Sequence, residues 1–420
     1  MKIYRLFLTL SIAALALSAC GDKSATTKAA ADGSFVRVSG TDLLLPDGSK
    51  LLIKGTNLGN WLNPEGYMFG FNKVNSAHFI EEALRQLVGP TKADKFWRAF
   101  KDNYVTRADI RFIRSTGSNT IRLPFHYKLF TDEDYMGLNV AQDGFARVDS
   151  VVTWCREAGL YLILDMHDAP GGQTGDNIDD SYGYPWLFES EECQRLFADI
   201  WRRIADRYKD EPVILGYELM NEPIAPYFEN VDSLNARLAK VYRIGVDAIR
   251  EVDKRHIILL GGAQWNGNFE PLRDTAFDEQ IMYTCHRYGG GTSAEAIAGF
   301  IDFQRRTQRP MYMGEIGHNT DEWMAAFCRT MEEHNIGWTF WPYKKVDGSS
   351  FVGIRRPARW DDVVVKFAES PRATYKEIRD ARPSQALADS VLNEFLEAAR
   401  FERCEVQRGY IEALGLRATP

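Results

Sequence analysis

Eight short apolar runs, separated by stretches long enough for helices, constrain the fold more than any other feature of the chain. They are Leu51–Gly55, Asn119–Pro124, Leu160–His167, the run from Val213 into Asn221-Glu222-Pro223, His256–Gly261, Ile281–His286, Pro310–Glu315 and Ile336–Trp341. A nearly continuous apolar run of strand length reads as a strand covered on both faces, as in a parallel sheet. Amphipathic segments lie between the runs, at 76–88, 91–100, 107–115, 145–158, 190–208, 233–252, 294–306 and 320–334. Gly159 stands where the fourth of these needs a C-cap. The alternation predicts an α/β chain closed into a (β/α)8 TIM barrel. A doubly wound open sheet is the competing fold. It calls for a Gly-rich strand-to-helix turn after an early strand, and none follows.

A plain barrel needs about 250 residues, and this chain has 420. The surplus lies at both ends and in long loops. Phe35–Lys50 reads as a β-hairpin around Pro46-Asp47-Gly48. After Trp341, helices are expected near 360–369, 373–379 and 386–400, closing the bottom or side of the barrel. No internal linker breaks 35–420, which reads as one domain.

The N-terminus reads as an export signal. Lys2 and Arg5 precede an apolar stretch from Leu6 to Leu17, too short to span a bilayer, and small residues follow. Leu17-Ser18-Ala19-Cys20 resembles the bacterial lipobox. On that reading residues 1–19 are a lipoprotein signal peptide, Cys20 becomes a lipidated N-terminus, and 20–34 form a flexible tether. The expected location is the bacterial cell envelope, anchored by lipid at the outer membrane or cell surface, with a periplasm-facing anchor as the alternative. Loss of Lys2 and Arg5 would move the formal charge from −7 to −9. A mildly acidic chain without basic blocks argues against nucleic acid as a partner. Besides Cys20 there are Cys155, Cys193, Cys285, Cys328 and Cys404, with no CxxC spacing. That pattern implies neither a disulfide framework nor a zinc site.

Polar residues sit where most of the runs end: Arg122, His167, Asn221 with Glu222, His286 with Tyr288, Glu315, and the aromatic Trp341. Taken singly, each has a dull explanation as an ion pair, a core histidine or core filler. In a barrel these positions converge on one face. Glu222 and Glu315 end the fourth and seventh strands, which places two carboxyls across the mouth from each other. Two carboxylates flanking one bond is the arrangement that glycoside hydrolysis requires. Pro223 keeps Glu222 out of the right-handed helical region.

The set in this order resembles glycoside hydrolase family 5, retaining β-glycosidases built on a (β/α)8 barrel. The likeness runs from about Leu51 to Tyr343. Asp165-Met166-His167-Asp168-Ala169-Pro170-Gly171-Gly172-Gln173 is similar to the matching loop of the exo-β-1,3-glucanase branch. The lipobox, the 57–75 loop and the C-terminal helices lie outside the common pattern. The resemblance implies Glu222 as acid/base and Glu315 as nucleophile. It further implies that Arg122, His167, Asn221, His286, Tyr288 and Trp341 bind sugar or orient the carboxylates. Arg122 and Tyr288 are expected beside Glu315, and Glu222 is expected in a less polar setting. His126 and Tyr127, just past the second strand, are expected near the terminal sugar. No cofactor and no metal is implied, and a monomer is expected.

The substrate expected is a β-glucan or β-gluco-oligosaccharide; mannan, xyloglucan and glycolipid remain alternatives. Long loops at 61–75, 168–185 and 342–359 are expected to wall the cleft into a pocket. Trp61, Tyr67, Phe69, Phe71, Tyr184, Trp186 and Trp265 are candidates for its lining, each equally readable as packing. Two other classes of function compete. One is a catalytically inactive carbohydrate-binding barrel, which has no need of both Glu222 and Glu315. The other is a metal-dependent hydrolase using Asp165, His167 and His286, which no HxH or HExxH spacing supports.

Overall fold

In the computed structural model, residues 32–137 and 141–418 are described. The signal peptide, Cys20 and most of the tether lie outside them. Among the described residues no helix is long and apolar enough to cross a membrane.

Eight parallel strands close into a barrel: β3 (Lys54–Asn57), β4 (Thr120–His126), β5 (Tyr161–Asp168), β6 (Ile214–Glu218), β7 (Ile257–Gly261), β8 (Ile281–His286), β9 (Met311–Gly317) and β10 (Gly337–Trp341). Most are buried along their whole length, as expected of strands covered by helices on one side and filled by side chains on the other. The helices α1 (Ala77–Val88), α2 (Pro90–Tyr104) and α3 (Arg107–Ser115) follow β3. Then come α4 (Ala141–Ala158), α5 (Glu191–Tyr208) and α6 (Val231–Val252), with further helices at Ala298–Thr307 and Asp321–Glu333. The segment expected as one helix over 294–306 begins instead as a 3-10 turn, Ala294–Ile297.

The N-terminal hairpin is present but turns earlier than expected. Its strands β1 (Arg37–Ser39) and β2 (Asp42–Leu44) meet across Gly40-Thr41, with Gly40 at φ +60°. Pro46-Asp47-Gly48 makes a second turn that returns Lys50 to Leu44. Val36, Val38 and Leu43 pack with Leu51, Ile53, Ile163, Leu215, Leu259 and Met282 into a separate apolar cluster. The hairpin therefore plugs the N-terminal end of the barrel. Leu51 and Ile53 belong to that plug, and β3 starts three residues later than the apolar run.

The C-terminal helices take the flank and not the bottom. In helix Gln385–Ala398, Phe395 meets Phe69, Phe96, Phe100 and Trp360 at ring distances of 5.6, 6.3, 6.5 and 4.4 Å. The Trp360 indole N–H donates to Phe69 O at 2.8 Å. The stretch expected as a loop after the eighth strand holds β11 (Lys344–Val346) and β12 (Val352–Ile354), which pair with each other, and β12 pairs in turn with β13 (Glu405–Val406). Beneath this small sheet Lys344 Nζ meets Asp109 Oδ1 at 2.6 Å with both side chains fully buried, and Tyr343 Oη donates to the same oxygen at 2.9 Å. The five described cysteines are free thiols.

Candidate active site

The fourth barrel strand is buried at all five positions yet ends on a carboxylate, Glu218. The chain then continues through Leu219-Met220-Asn221 to Glu222-Pro223. As the proline requires, Glu222 leaves the right-handed helical region, and it takes φ +44°, with Ile224 at +60°. Side chains are strained there and stay only where their surroundings hold them. The loop after β5 does the holding. Thr174 Oγ1 donates to Glu222 O at 2.7 Å, Gln173 Nε2 to Asn221 O at 2.8 Å, and the Ile224 amide to Gln173 O at 2.8 Å.

Arg122, fully buried on β4, organises the floor. It makes a bidentate pair with Glu218, Nε to Oε2 at 2.8 Å and Nη2 to Oε1 at 2.7 Å. Nη2 also reaches Asn221 Oδ1 (2.8 Å) and Asp165 Oδ2 (3.0 Å). Nη1 reaches Asn57 Oδ1 (3.1 Å) and Glu315 Oε1 (2.7 Å). A buried guanidinium is costly unless paired, and the planar fork suits several carboxylates at once. Arg122 does not face open space, so it touches Glu315 and not a ligand directly. Tyr288 Oη donates to the other Glu315 oxygen at 2.5 Å. Both oxygens of Glu315 thus accept hydrogen bonds from fixed donors.

Glu222 lives differently. Its Oε1 meets His286 Nδ1 at 2.8 Å. Burial raises its pKa to about 7, against the opposing pull of His167 and Arg122. His286 and His167 are each pushed down to about 4, mainly by burial, so both rings are neutral near pH 7. His167 Nδ1 is 2.7 Å from Asp165 Oδ2, and its Nε2 lies 3.2 Å from Asn221 Nδ2. The His167 ring stacks on Trp341 at 5.2 Å with an interplanar angle of 3°. Gly59 seats that tryptophan, since a Cβ there would come within 2.8 Å of it.

Ligand atoms of Glu222, His286 and Glu315 lie within 4.8 Å of one another. An oxygen of Glu222 and one of Glu315 thus approach within 4.8 Å, as the close pair of a retaining site requires, whereas an inverting pair stands ~6.5–9.5 Å apart. The same three groups are the only described His/Cys/Asp/Glu cluster close enough to hold a cation. Both Glu315 oxygens already accept from Arg122 and Tyr288, and Glu222 Oε1 already faces His286 Nδ1. Asp165, named in the metal reading, is committed to Arg122 and His167.

The cavity above these groups is about 400 Å³ and is lined by His167, Asn221, Glu222, Tyr288, Glu315 and Trp341, with Glu65, Tyr67, Ile178 and His318 on its walls. Tyr67 Oη accepts from the Trp341 indole N–H at 2.8 Å and lies 3.3 Å from His318 Nε2. Glu65 is 5% exposed, and burial followed by the charges of Glu315 and Glu222 raises its pKa well above the usual range. His126 does not join this cavity. It lies in a neighbouring one of about 100 Å³, with Nε2 at 3.2 Å from Asp180 Oδ2, and Tyr127 is beside it. Trp61, Phe69 and Phe71 are core residues; Tyr184, Trp186 and Trp265 lie outside the cavity lining. Glu65, His318, Glu218 and Asn57 were not singled out from the sequence. Glu218 had a readable signal, a carboxylate closing an apolar strand. Glu65 and His318 are on loops and had none.

A family model described as Cellulase (glycosyl hydrolase family 5) matches residues 82–346. A Beta-xylosidase of Phanerodontia chrysosporium is 33% identical over 298 residues, covering 70% of this chain and 59% of that protein. Endoglucanase C of Acetivibrio thermocellus is 28% identical over 318 residues, covering 61% of this chain and 89% of that protein. The crystal structure of a rutinosidase from Aspergillus niger superposes with a TM-score of 0.55 at 19% identity, over 70% of this chain and 90% of that one, and so shares the fold.

Proposed function

This chain belongs to glycosyl hydrolase family 5, and on that premise we propose that it hydrolyses β-linked gluco-oligosaccharides with retention, using Glu222 as acid/base and Glu315 as nucleophile. The observation that carries the reading is the unequal treatment of two close carboxyls. One is pushed to about pKa 7 by burial, and the other receives two donors. A carboxyl that keeps its proton near neutrality can give it to a leaving oxygen. Glu315 then attacks the anomeric carbon as the C–O bond breaks, and its charge is spent on a glycosyl ester. Glu222, now a carboxylate, takes a proton from water. The resulting hydroxide adds to the same carbon and frees Glu315, whose oxygens return to Arg122 and Tyr288.

Asn221 lines the cavity beside Glu222, suited to the sugar 2-hydroxyl, and Trp341 offers a flat face to the C–H side of a ring. A cavity of about 400 Å³ sits at the small end of the ~300–1,000 Å³ range of ligand sites. Its size favours a chain end or short oligosaccharide over a long polymer lying across a groove. A catalytically inactive binding barrel is the second reading, and the intact carboxyl pair stands against it. We propose in addition that the protein acts as a monomer, tethered to the cell envelope through lipidated Cys20. Cys20→Ala should release it from the membrane fraction with its activity intact; a variant still held there would end that part of the proposal.

The test is hydrolysis of reducing-end-labelled β-1,3-, β-1,4- and β-1,6-gluco-oligosaccharides and β-1,4-manno-oligosaccharides by wild type and Glu315→Gln. Cleavage of a gluco-linkage by wild type alone, with the anomer retained, is expected. Near wild-type turnover by Glu315→Gln would overturn the assignment. Binding without cleavage by wild type would favour the inactive barrel.

A further inference from the structure

After β7 the backbone makes a turn that side chains disfavour. Gln264, Trp265 and Asn266 have φ of 50°, 58° and 60°. Non-glycine residues visit this region singly, at a cost of roughly 1–2 kcal/mol each, so three in succession must be held from outside. The Gln264 amide donates to Ile224 O at 2.9 Å, tying this turn to the strained turn that carries Glu222. Gln264 Nε2 donates to Asn235 Oδ1 at 2.9 Å, and Asn268 Nδ2 donates to Gln264 Oε1 at 2.7 Å.

The turn delivers Asn266, fully buried, behind His286, with Nδ2 at 3.1 Å from His286 Nε2. The strands on either side leave room for this pair. A Cβ on Gly261 would fall 2.0 Å from Asn266 Oδ1, and one on Gly314 would fall 2.8 Å from His286 Nε2. Asn266 does not line the cavity, so it does not touch a substrate.

Resting on the reading of Glu222 as the acid, we propose that Asn266 is a positioning residue that fixes the tautomer of His286 and so directs the acidic proton of Glu222 towards the substrate. The Asn266 amide donates to Nε2, which makes Nε2 the acceptor and puts the ring proton on Nδ1. Nδ1–H then donates to Glu222 Oε1 at 2.8 Å. With Oε1 occupied as an acceptor, the carboxyl proton resides on Oε2. The opposite tautomer would present a lone pair to Glu222 and draw that proton to the imidazole, away from the glycosidic oxygen. Burial keeps the ring neutral, so the tautomer matters. The charged and titratable groups facing Glu222 from the other elements are Arg122, Asp165, His167, Glu315, Glu65 and Tyr288; none changes in the variants below.

Asn266→Gly and Asn266→Asp both tolerate the left-handed backbone, so the fold is preserved while the donor is lost or reversed. The readout is kcat/KM for a series of aryl β-glycosides of the sugar that wild type cleaves. A 2,4-dinitrophenyl leaving group departs without a proton; a phenyl group needs one. Both variants are expected to stay within about threefold of wild type on the dinitrophenyl glycoside and to fall roughly 30-fold or more on the phenyl glycoside, with Asn266→Asp the lower, within the ~10²–10⁴ that proton transfer contributes. Wild-type rates of Asn266→Asp on the phenyl glycoside, or an equal fall across the series, would overturn the proposal. Glu222→Ala is the internal control. If it lacks this leaving-group dependence, the acid assignment itself fails. If it shows the dependence and the Asn266 variants do not, this inference alone fails.

Discussion

Replacing Glu222 with Gln removes one titration while keeping the shape of the side chain. In the folded protein burial raises the Glu222 pKa from the ordinary 4.5 to about 7, and its side chain is only 13% exposed. A raised carboxyl pKa means the folded state binds this proton more tightly than the unfolded chain does. The resulting stability is fully present below pH 4.5 and is lost as pH rises through about 7. At about 1.36 kcal/mol per unit, the wild type should lose about 3 kcal/mol at this site between pH 4 and pH 8.5. Glu222→Gln does not titrate, so it escapes the loss. With an unfolding entropy near 2.1 cal/mol/K per residue, a chain of this size shifts its Tm by roughly 1 °C per kcal/mol. The Tm of Glu222→Gln minus that of wild type should therefore rise by about 3–4 °C from pH 4 to pH 8.5. Thermal unfolding followed by circular dichroism at both pH values checks this. The same pKa should appear as the basic limb of the wild-type kcat/KM profile, near pH 7, because the acid must be protonated. A Tm difference independent of pH, with a basic limb well above 8, would refute the reasoning.

Arg122→Met leaves Glu218, Asp165 and Glu315 buried around a missing cation, so it should cost about 3–5 kcal/mol and abolish measurable turnover; a denaturant melt and the oligosaccharide assay read the two effects separately. Lys344→Met strands Asp109 and two backbone carbonyls beneath the small C-terminal sheet. A similar loss of about 3–5 kcal/mol is expected in the melt, partly recovered by Asp109→Asn in the double variant. Dialysis against a chelator should leave kcat/KM unchanged within error; restoration by zinc of an activity lost on dialysis would revive the metal reading.

The eight barrel strands were legible because burial on both faces leaves nearly unbroken apolar runs that few other elements produce. Their edges were less so. Leu51 and Ile53 look like the start of β3 but serve the plug under the barrel, and nothing local separates the two uses. β11, β12 and β13 are too short to show a period of two. At the site, Glu222 and Glu315 stood out because a charged residue closes an apolar run. Glu65 and His318 reach the cavity only through the path of their loops, and Asn266 only through a left-handed turn that the sequence Ala263-Gln264-Trp265-Asn266 does not announce. His126, also at a strand end, lines a neighbouring cavity beside Asp180, a placement that its position in the sequence does not announce.

The wall of the cavity is held from far away in the chain. Glu65 and Tyr67 sit on a loop whose end is gripped by the Glu369 carboxylate, which accepts from the Asn72 and Lys73 amides at 2.8 and 3.0 Å. Trp360 holds the same loop from the other sense, its indole N–H donating to Phe69 O. Both the loop and its grip fall outside the 82–346 stretch that matches the family, whereas Glu222 and Glu315 fall inside it. The protein thus draws part of its cavity wall, Glu65 and Tyr67, from outside the stretch that carries Glu222 and Glu315. Changes accumulating in the tail can therefore reshape that part of the wall while Glu222 and Glu315 stay untouched.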